Sequence, residues 1–157
     1  MAEGTPLGLR LLRTRAFARA PIAVYRLGLG ALFGSRLLML EHTGRVTGAR
    51  RRVVLEVTGR PGPGRYLVVS GFGERAQWLR NVLARPQVRV WTGRHRAMPA
   101  EAVRLPIEAA RDVFDRYPVE HPQAWARLEP VIRGACGLAE TEPLAPHVPV
   151  VELRRTG

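Results

Sequence analysis

The stretch Leu37–Leu55, LLMLEHTGRVTGARRRVVL, joins two apolar segments through a turn rich in glycine and arginine. Leu37–Leu40 is continuously apolar, and Val53–Val57 is apolar except for one glutamate, so both segments predict buried or half-buried strands. Between them, Gly44 and Gly48 permit positive φ and a close approach of the backbone. The stretch therefore predicts two neighbouring strands joined by a tight basic turn.

The basic turn has the chemistry of an anion site. Glycine makes backbone N–H groups accessible, and guanidinium groups bind phosphate or carboxylate through two parallel hydrogen bonds. The sequence leaves two interpretations open: an anion-binding turn, or the solvated tip of a β-hairpin. The side chains that decide between them are Arg45, Thr47, Arg50, Arg51 and Arg52.

Length and composition predict one domain with an ordinary hydrophobic core. The 157 residues include 25 basic and 13 acidic side chains, which gives a formal charge of +12, and every basic residue is arginine. Such a charge suits a polyanionic small ligand, an acidic membrane surface or nucleic acid, although arginine-only usage is also typical of a GC-rich genome. Cys136 is the single cysteine, so no intramolecular disulfide is expected and the cytoplasm is the expected compartment.

Residues 1–35 predict a basic amphipathic helical segment ahead of a main domain over residues 36–157. Thr5 and Pro6 form a helix start, and the leucines that follow alternate with arginines in a helical rhythm. No membrane span or targeting segment is predicted, because the apolar patches of residues 20–33 are short and interrupted by a charge. The segment either packs on the domain or attaches peripherally to an anionic membrane.

The remaining chain predicts further strands with helices inserted between them. The predicted strands are Tyr66–Val69, Val88–Trp91, Met98–Leu105 and Val148–Leu153, and the predicted helices are Glu74–Ala84, Pro106–Tyr117 and Pro122–Arg133. Strands and helices do not alternate regularly. The pattern therefore argues against a Rossmann sheet and favours a small barrel.

Other constellations carry less information. The four histidines lack the paired spacing of metal ligands, and Ser70 lacks the preceding glycine of a nucleophile elbow. Glu41 and Glu56 are either an acid–base pair or strand carboxylates paired with arginine. The tryptophans and tyrosines are either stacking platforms for bases or lining of a core or pocket.

Three stretches in this order resemble the deazaflavin (coenzyme F420)-dependent nitroreductase family: LEHTGRVTGARRRVVLEV, YLVVSGFGERAQWLRNVLARPQVRV and VPVVEL. The similarity covers about residues 20–153, and its most specific parts are Thr43–Arg51 and Trp78–Asn81. The resemblance implies a mainly β fold, a six-stranded split β-barrel with packed helices like that of the pyridoxamine phosphate oxidases. It also implies coenzyme F420, an 8-hydroxy-5-deazaflavin with a phosphodiester and an oligoglutamate tail, with FMN as the alternative cofactor.

The resemblance also assigns residues to the coenzyme. It places Gly44, Arg45, Thr47, Gly48 and Arg51 around the phosphodiester and tail. The family often has a basic residue where this chain has Val46, and Arg50 and Arg52 are expected to compensate for it. The resemblance places Ser70, Gly71 and Phe72 along the deazaflavin ring. Trp78 and Asn81, on the predicted helix Glu74–Ala84, would close the pocket. The proton for the product comes from Tyr117, Ser70 or solvent.

The implied activity is hydride transfer from the reduced deazaflavin to a small-molecule acceptor, which is a quinone, an enone or a nitroaromatic compound. Tyr117 matches the family, but Glu120 and Gln123 follow where members that reduce bulky nitroaromatics carry tyrosines. A non-catalytic carrier of flavin, haem or deazaflavin is the alternative, and a nucleic-acid-binding protein is the third class. We expect a cytoplasmic monomer or dimer, with peripheral membrane contact left open.

Overall fold

Six strands and three α-helices form residues 36–157, the part of the chain that the computed structural model describes. The predicted helical segment over residues 1–35 lies outside this part. The strands are β1 (Leu37–Thr43), β2 (Arg50–Gly62), β3 (Arg65–Val69), β4 (Gln87–Thr92), β5 (His95–Arg104) and β6 (Val150–Arg155). The helices are α1 (Gln77–Ala84), α2 (Ile107–Glu120) and α3 (Pro122–Cys136), and a 3₁₀ turn at Gly73–Arg75 precedes α1.

The strands close into an antiparallel barrel in the order β1-β2-β3-β6-β5-β4. The register of β1 and β2 pairs Leu37 with Glu56 and Thr43 with Arg50, so the basic turn connects the ends of a regular hairpin. Closure satisfies the backbone groups that an open sheet leaves at its edges. The predicted six-stranded barrel is confirmed.

The barrel interior is the main hydrophobic core. Because side chains alternate along a strand, Leu38 and Leu40 of β1 face inward and meet Val68 of β3. Helix α1 closes one end of the barrel, where Leu79 and Val82 join the same core. The end that α1 closes also carries the basic turn, which brings the two most specific sequence motifs together.

The other two helices cover the outside of the barrel. Leu67 and Val69 alternate outward on β3 and pack against Val113 and Phe114 of α2. Helix α3 adds a third cluster around Ile132. The helices therefore bury the outer face of β3, and a space remains between them and β2.

Element boundaries depart from the predictions at prolines and glycines. Helix α2 continues past Tyr117 through Pro118, since a proline removes only one hydrogen bond when neighbours hold the helix. Helix α3 runs to Cys136 and ends where Gly137 adopts φ +67°, a conformation that favours glycine. Within residues 36–157, no helix is both long and apolar enough to cross a membrane.

Candidate active site

One end of the barrel gathers most of the predicted site residues. In an antiparallel hairpin the end of one strand meets the start of the next. The turn Gly44–Ala49, the segment Ser70–Gly73 after β3, and helix α1 therefore border the same end. The structure brings together segments that lie about thirty residues apart in sequence.

The basic turn is held by hydrogen bonds of its own backbone. The N–H of Gly44 donates to the carbonyl of Ala49 at 2.7 Å, and the N–H of Gly48 donates to the carbonyl of Gly44 at 2.8 Å. Gly48 has φ +73°, and a Cβ on Gly44 would lie only 3.1 Å from Thr47 Oγ1. Both glycines are therefore required by the geometry of the turn.

Helix α1 fixes the turn through a polar network that the sequence did not reveal. The backbone N–H and Nη1 of Arg45 both donate to Oδ1 of Asn81, at 3.1 and 2.9 Å, while Nη2 donates to Oε1 of Gln77 at 3.0 Å. Asn81 is 3% exposed, and its Nδ2 lies 3.1 Å from Nδ1 of His42. Arg45 is thus largely occupied in anchoring the turn.

His42 is the buried end of this network. Burial, and then the neighbouring positive charge of Arg51, lower the pKa of His42 to about 4. The imidazole is therefore neutral at pH 7, and its Nδ1 can accept the hydrogen bond from Asn81. The burial of His42 was hard to predict from the sequence. The only indication is that it alternates with Leu38 and Leu40 on the face of β1 that points into the barrel.

The turn and the first half of α1 enclose a cavity of about 180 Å³, which we call the cradle. None of the described residues that line it is acidic. Among the described residues, no hydrogen bond or ion pair engages the Arg51 guanidinium, so its positive charge faces the cradle uncompensated. The lining residues are Gly44, Arg45, Val46, Thr47, Arg51, Gln77 and Asn81.

The other two arginines of the turn lie elsewhere, which corrects the prediction for Arg50 and Arg52. Successive strand residues point to opposite faces, so of the three only Arg51 faces the cradle. Arg50 lines a separate cavity with Glu41 and Glu101. Arg52 donates to Glu41 through Nε and Nη2 at 3.0 and 2.9 Å.

Arg85 is a basic residue near the turn that sequence reasoning missed. A Cβ on Gly48 would lie 3.8 Å from Arg85 Nη1, although the two residues are far apart in sequence. Arg85 follows the last residue of α1. Its proximity to the turn depends on how that helix lies across the end of the barrel, which the sequence alone does not show.

A second cavity, of about 190 Å³, lies between the outer face of β2 and β3 and helices α2 and α3. We call it the chamber. Gly71 and Phe72, for which the resemblance implies contact with the deazaflavin ring, border this cavity, and Phe72 is 47% exposed. Most of the other lining side chains are apolar or aromatic, including Val54, Val69, Val113, Phe114, Leu128 and Ile132.

Two residues predicted for the site have side chains that are engaged elsewhere in the structure. Ser70 is fully buried and its hydroxyl donates to the carbonyl of Gly73 at 2.8 Å, so the hydroxyl stabilises the loop and does not face the chamber. Trp78 is 8% exposed and packs in the barrel core with Leu79, so it does not close a pocket. For Trp78, the apolar residues at helical spacing in α1 already indicated a face that packs inward.

Tyr117 and Glu56 form the polar end of the chamber. The Tyr117 hydroxyl donates to Glu56 Oε1 at 2.6 Å, and the Tyr117 ring contacts Trp125 edge-on with centroids 6.0 Å apart. Burial first, and the bond to Glu56 second, raise the pKa of Tyr117 well above its usual value. Glu41 and Glu56 do not form an acid–base pair, since Glu41 binds Arg52 near the other end of the hairpin.

The sequence also matches a known protein family. Residues 18–127 match the family model described as F420H(2)-dependent quinone reductase. The chain belongs to this family. It is therefore an oxidoreductase, a reductase that depends on coenzyme F420, and the predicted deazaflavin-dependent class is confirmed.

Solved structures agree with the fold of this quinone reductase family member. A chain named as an F420-H2 dependent reductase (FDR-A) is 21% identical with a TM-score of 0.53, and the alignment covers 76% of this chain and 94% of that one. A putative pyridoxamine 5'-phosphate oxidase from Listeria innocua is 11% identical with a TM-score of 0.53, covering 82% and 90%. A chain described as a domain-swapped dimer is 20% identical with a TM-score of 0.55, covering 85% and 94%. No curated protein sequence matches significantly.

The family match ends inside α3, at residue 127. The later residues of that helix, Leu128, Val131 and Ile132, form one wall of the chamber. The match therefore identifies the family, whereas this wall of the chamber has to be interpreted from the structure of this chain.

Proposed function

We propose that this reductase holds the phosphodiester and tail of coenzyme F420 at the cradle and reduces an uncharged quinone in the chamber. The observation that carries the proposal is the chamber itself, which is apolar along its length and polar only at the end formed by Tyr117 and Glu56. Gly71 and Phe72 belong to the chamber and to the barrel end that carries the cradle, so they are the proposed neighbours of the ring.

The residues at the cradle fit a polyanionic group. Arg51 offers a guanidinium that has no carboxylate partner within residues 36–157, and the close contacts around Gly44 leave no space for a larger side chain. Arg45 and Asn81 keep the turn in place before the ligand arrives, which lowers the entropy cost of binding. Arg85 adds a positive charge at the edge of the turn.

The proposed hydride transfer requires little acid–base catalysis by the protein. When bound, the reduced coenzyme supplies a hydride from its C5 position. Phe72, Val54 and Leu128 provide flat apolar surface against which an acceptor ring can lie, and the same side chains exclude water. The Tyr117 hydroxyl is the proposed polar contact for the acceptor oxygen.

The chamber favours quinones and enones over nitroaromatic compounds. Reduction of a quinone or an enone by one hydride requires one proton, which a single hydroxyl can deliver. Reduction of a nitro group to a nitroso group by one hydride also consumes one proton, but it breaks an N–O bond and releases water, so the second nitro oxygen needs a polar contact of its own. Tyr117 is the only hydroxyl with this position among the described residues lining the chamber, since Thr58 donates its own hydroxyl to the carbonyl of Leu67 at 3.1 Å.

A steady-state assay tests the proposal. The purified protein is given reduced coenzyme F420 and, in separate reactions, menadione, a cyclic enone or a nitroarene, and kcat/KM is compared. We expect menadione to be the best of the three. A preference for the nitroarene would contradict the quinone assignment, and tight binding of FMN without binding of coenzyme F420 in an absorbance titration would contradict the cofactor assignment.

A further inference from the structure

Glu56 and Tyr117 lie in the wall between the chamber and a second, more polar space. This second space is a groove of about 270 Å³ on the outside of the barrel. Its charged or ionisable lining residues, other than the shared pair, are Arg36, Arg60, Glu120 and His121. Of the residues that the structure describes, only Glu56, Thr58 and Tyr117 line both the groove and the chamber, so they separate an apolar compartment from a charged one.

Of these three residues, two can carry a proton across the wall. The Thr58 hydroxyl is committed to the carbonyl of Leu67. Glu56 and Tyr117 are joined by a 2.6 Å hydrogen bond, a short distance that is typical of a strong bond between a hydroxyl and a carboxylate. The pair therefore makes a continuous hydrogen-bonded connection between the two spaces.

The pair can exchange its donor and acceptor roles. With Glu56 ionised, the Tyr117 hydroxyl donates to the carboxylate, as it does in the structure. When Glu56 takes up a proton from the groove, its O–H can donate to the Tyr117 oxygen, which frees the phenolic O–H to point into the chamber. Burial raises the pKa of Tyr117, so this hydroxyl can give up a proton only if the proton is replaced at once.

We propose that Glu56 relays protons from the outer groove to Tyr117, which passes them to the oxygen of the acceptor that is reduced in the chamber. This inference rests on the proposed function. For a quinone, the hydride from the coenzyme provides both electrons, and the proton that completes the new O–H bond leaves Tyr117. The proton of Glu56 then moves to the Tyr117 oxygen, and solvent in the groove restores Glu56. Tyr117 is therefore the catalytic residue, and Glu56 acts through it.

The charges around Glu56 are consistent with a carboxylate that stays connected to solvent. Arg36 Nη2 lies 3.9 Å from Glu56 Oε1, at the edge of the range for an ion pair, and the Arg36 side chain is largely exposed. By contrast, Arg52 makes two bonds to Glu41 at 3.0 Å or less, and Arg65 and Arg154 both bind Glu152. Glu56 therefore has the loosest cationic partner of these three strand carboxylates.

The opposing explanation is that the bond from Tyr117 to Glu56 only ties α2 to β2. Glu56→Gln separates the two explanations, because the amide oxygen can still accept the Tyr117 hydrogen bond but the side chain cannot take up and release a proton. Tyr117→Phe is the second variant. Glu108→Gln, at an exposed position in the first turn of α2, is the matched control.

The experiment compares two acceptors in single-turnover reactions with bound reduced coenzyme at saturating acceptor. Menadione needs a hydride and a proton, whereas the N-methylacridinium cation needs only a hydride to become neutral. We expect Glu56→Gln and Tyr117→Phe to slow menadione reduction by about a hundredfold and to leave acridinium reduction within about twofold. The solvent deuterium isotope effect on menadione reduction should also be larger than that on acridinium reduction in the unmodified protein.

Three results would overturn the relay. Equal slowing of both acceptors would indicate a structural bond, and unchanged menadione reduction would indicate that the proton comes directly from water. A loss of rate in Glu108→Gln as large as that in Glu56→Gln would remove the specificity of the effect. If the unmodified protein oxidises the bound coenzyme with neither acceptor, the proposed function fails and the relay fails with it.

Discussion

Arg45 and Asn81 are joined by two hydrogen bonds to a single acceptor atom. The backbone N–H and the guanidinium of Arg45 reach Asn81 Oδ1 at 3.1 and 2.9 Å, and the other end of the Asn81 amide contacts His42. The basic turn is therefore positioned by a helix that begins more than thirty residues later. The same contact explains why the motif of the turn and the motif of the helix occur together in one chain.

Replacing Asn81 with alanine should loosen the turn. The substitution leaves a half-buried arginine donor and a buried histidine nitrogen without their partner, so we expect the free energy of unfolding to fall by about 1–3 kcal/mol. Coenzyme affinity should fall as well. Urea unfolding and a coenzyme titration measure the two effects. Gln77→Ala removes only an exposed contact of Arg45 and should cost less than about 0.5 kcal/mol, so an equal loss in both variants would contradict the assigned role of Asn81.

Arg51 and Arg50 provide a matched pair for testing the cradle. Arg51→Ala should weaken coenzyme binding by about 1.5–3 kcal/mol, the loss expected for a hydrogen bond to a charged group. Arg50→Ala removes the same charge from the preceding residue, whose side chain lines a different cavity. It should change the affinity for the coenzyme much less. A binding titration at one fixed salt concentration makes the comparison. Equal losses would show that overall charge attracts the coenzyme and that the cradle does not bind it specifically.

Trp78 and Phe72 should behave differently, because one lies in the core and the other borders the chamber. Trp78→Ala should destabilise the protein by about 3–5 kcal/mol through loss of core packing, which thermal unfolding followed by circular dichroism will detect. Phe72→Ala should fold normally and lower the rate of acceptor reduction. A stable Trp78→Ala protein with a slow reaction would instead restore Trp78 to the site.

The stability of the protein should depend on pH through His42. In the unfolded chain the imidazole takes up a proton near its ordinary pKa of 6.5, whereas in the folded protein it does so only near 4. The unfolded state therefore binds more protons between these values, and the contribution of His42 to stability is complete above pH 6.5 and is lost as the pH falls toward 4. His42→Gln should reduce the slope of the unfolding free energy in this range. An unchanged slope would mean that His42 is not held neutral by burial.

The hairpin, the meander and the barrel could be predicted because local patterns determine them. Apolar runs of strand length flank the basic turn, and glycine-rich turns separate the later strands, so β1 to β3 follow from the sequence alone. The cradle could also be located, since Gly44, Gly48 and Arg51 lie within one short turn.

The chamber could not be predicted, because its walls come from segments that are distant in sequence. Tyr117 and Glu56 are sixty-one residues apart, and only the packing of α2 on the outside of β2 brings them together. The position of Trp78 in the barrel core could not be predicted for a related reason. Its helix presents an apolar face, and the sequence alone did not show that this face would plug the barrel end.

The central claim is that the protein holds reduced coenzyme F420 beside an acceptor in the chamber and transfers hydride there. The most direct measurement mixes menadione with the protein saturated with reduced coenzyme, without oxygen, and follows the return of the absorbance of the oxidised coenzyme. We predict that the bound coenzyme is oxidised at least about a hundredfold faster than free coenzyme at the same menadione concentration. Reoxidation at or below the rate in free solution, with the coenzyme tightly bound, would contradict the claim and identify the protein as a carrier.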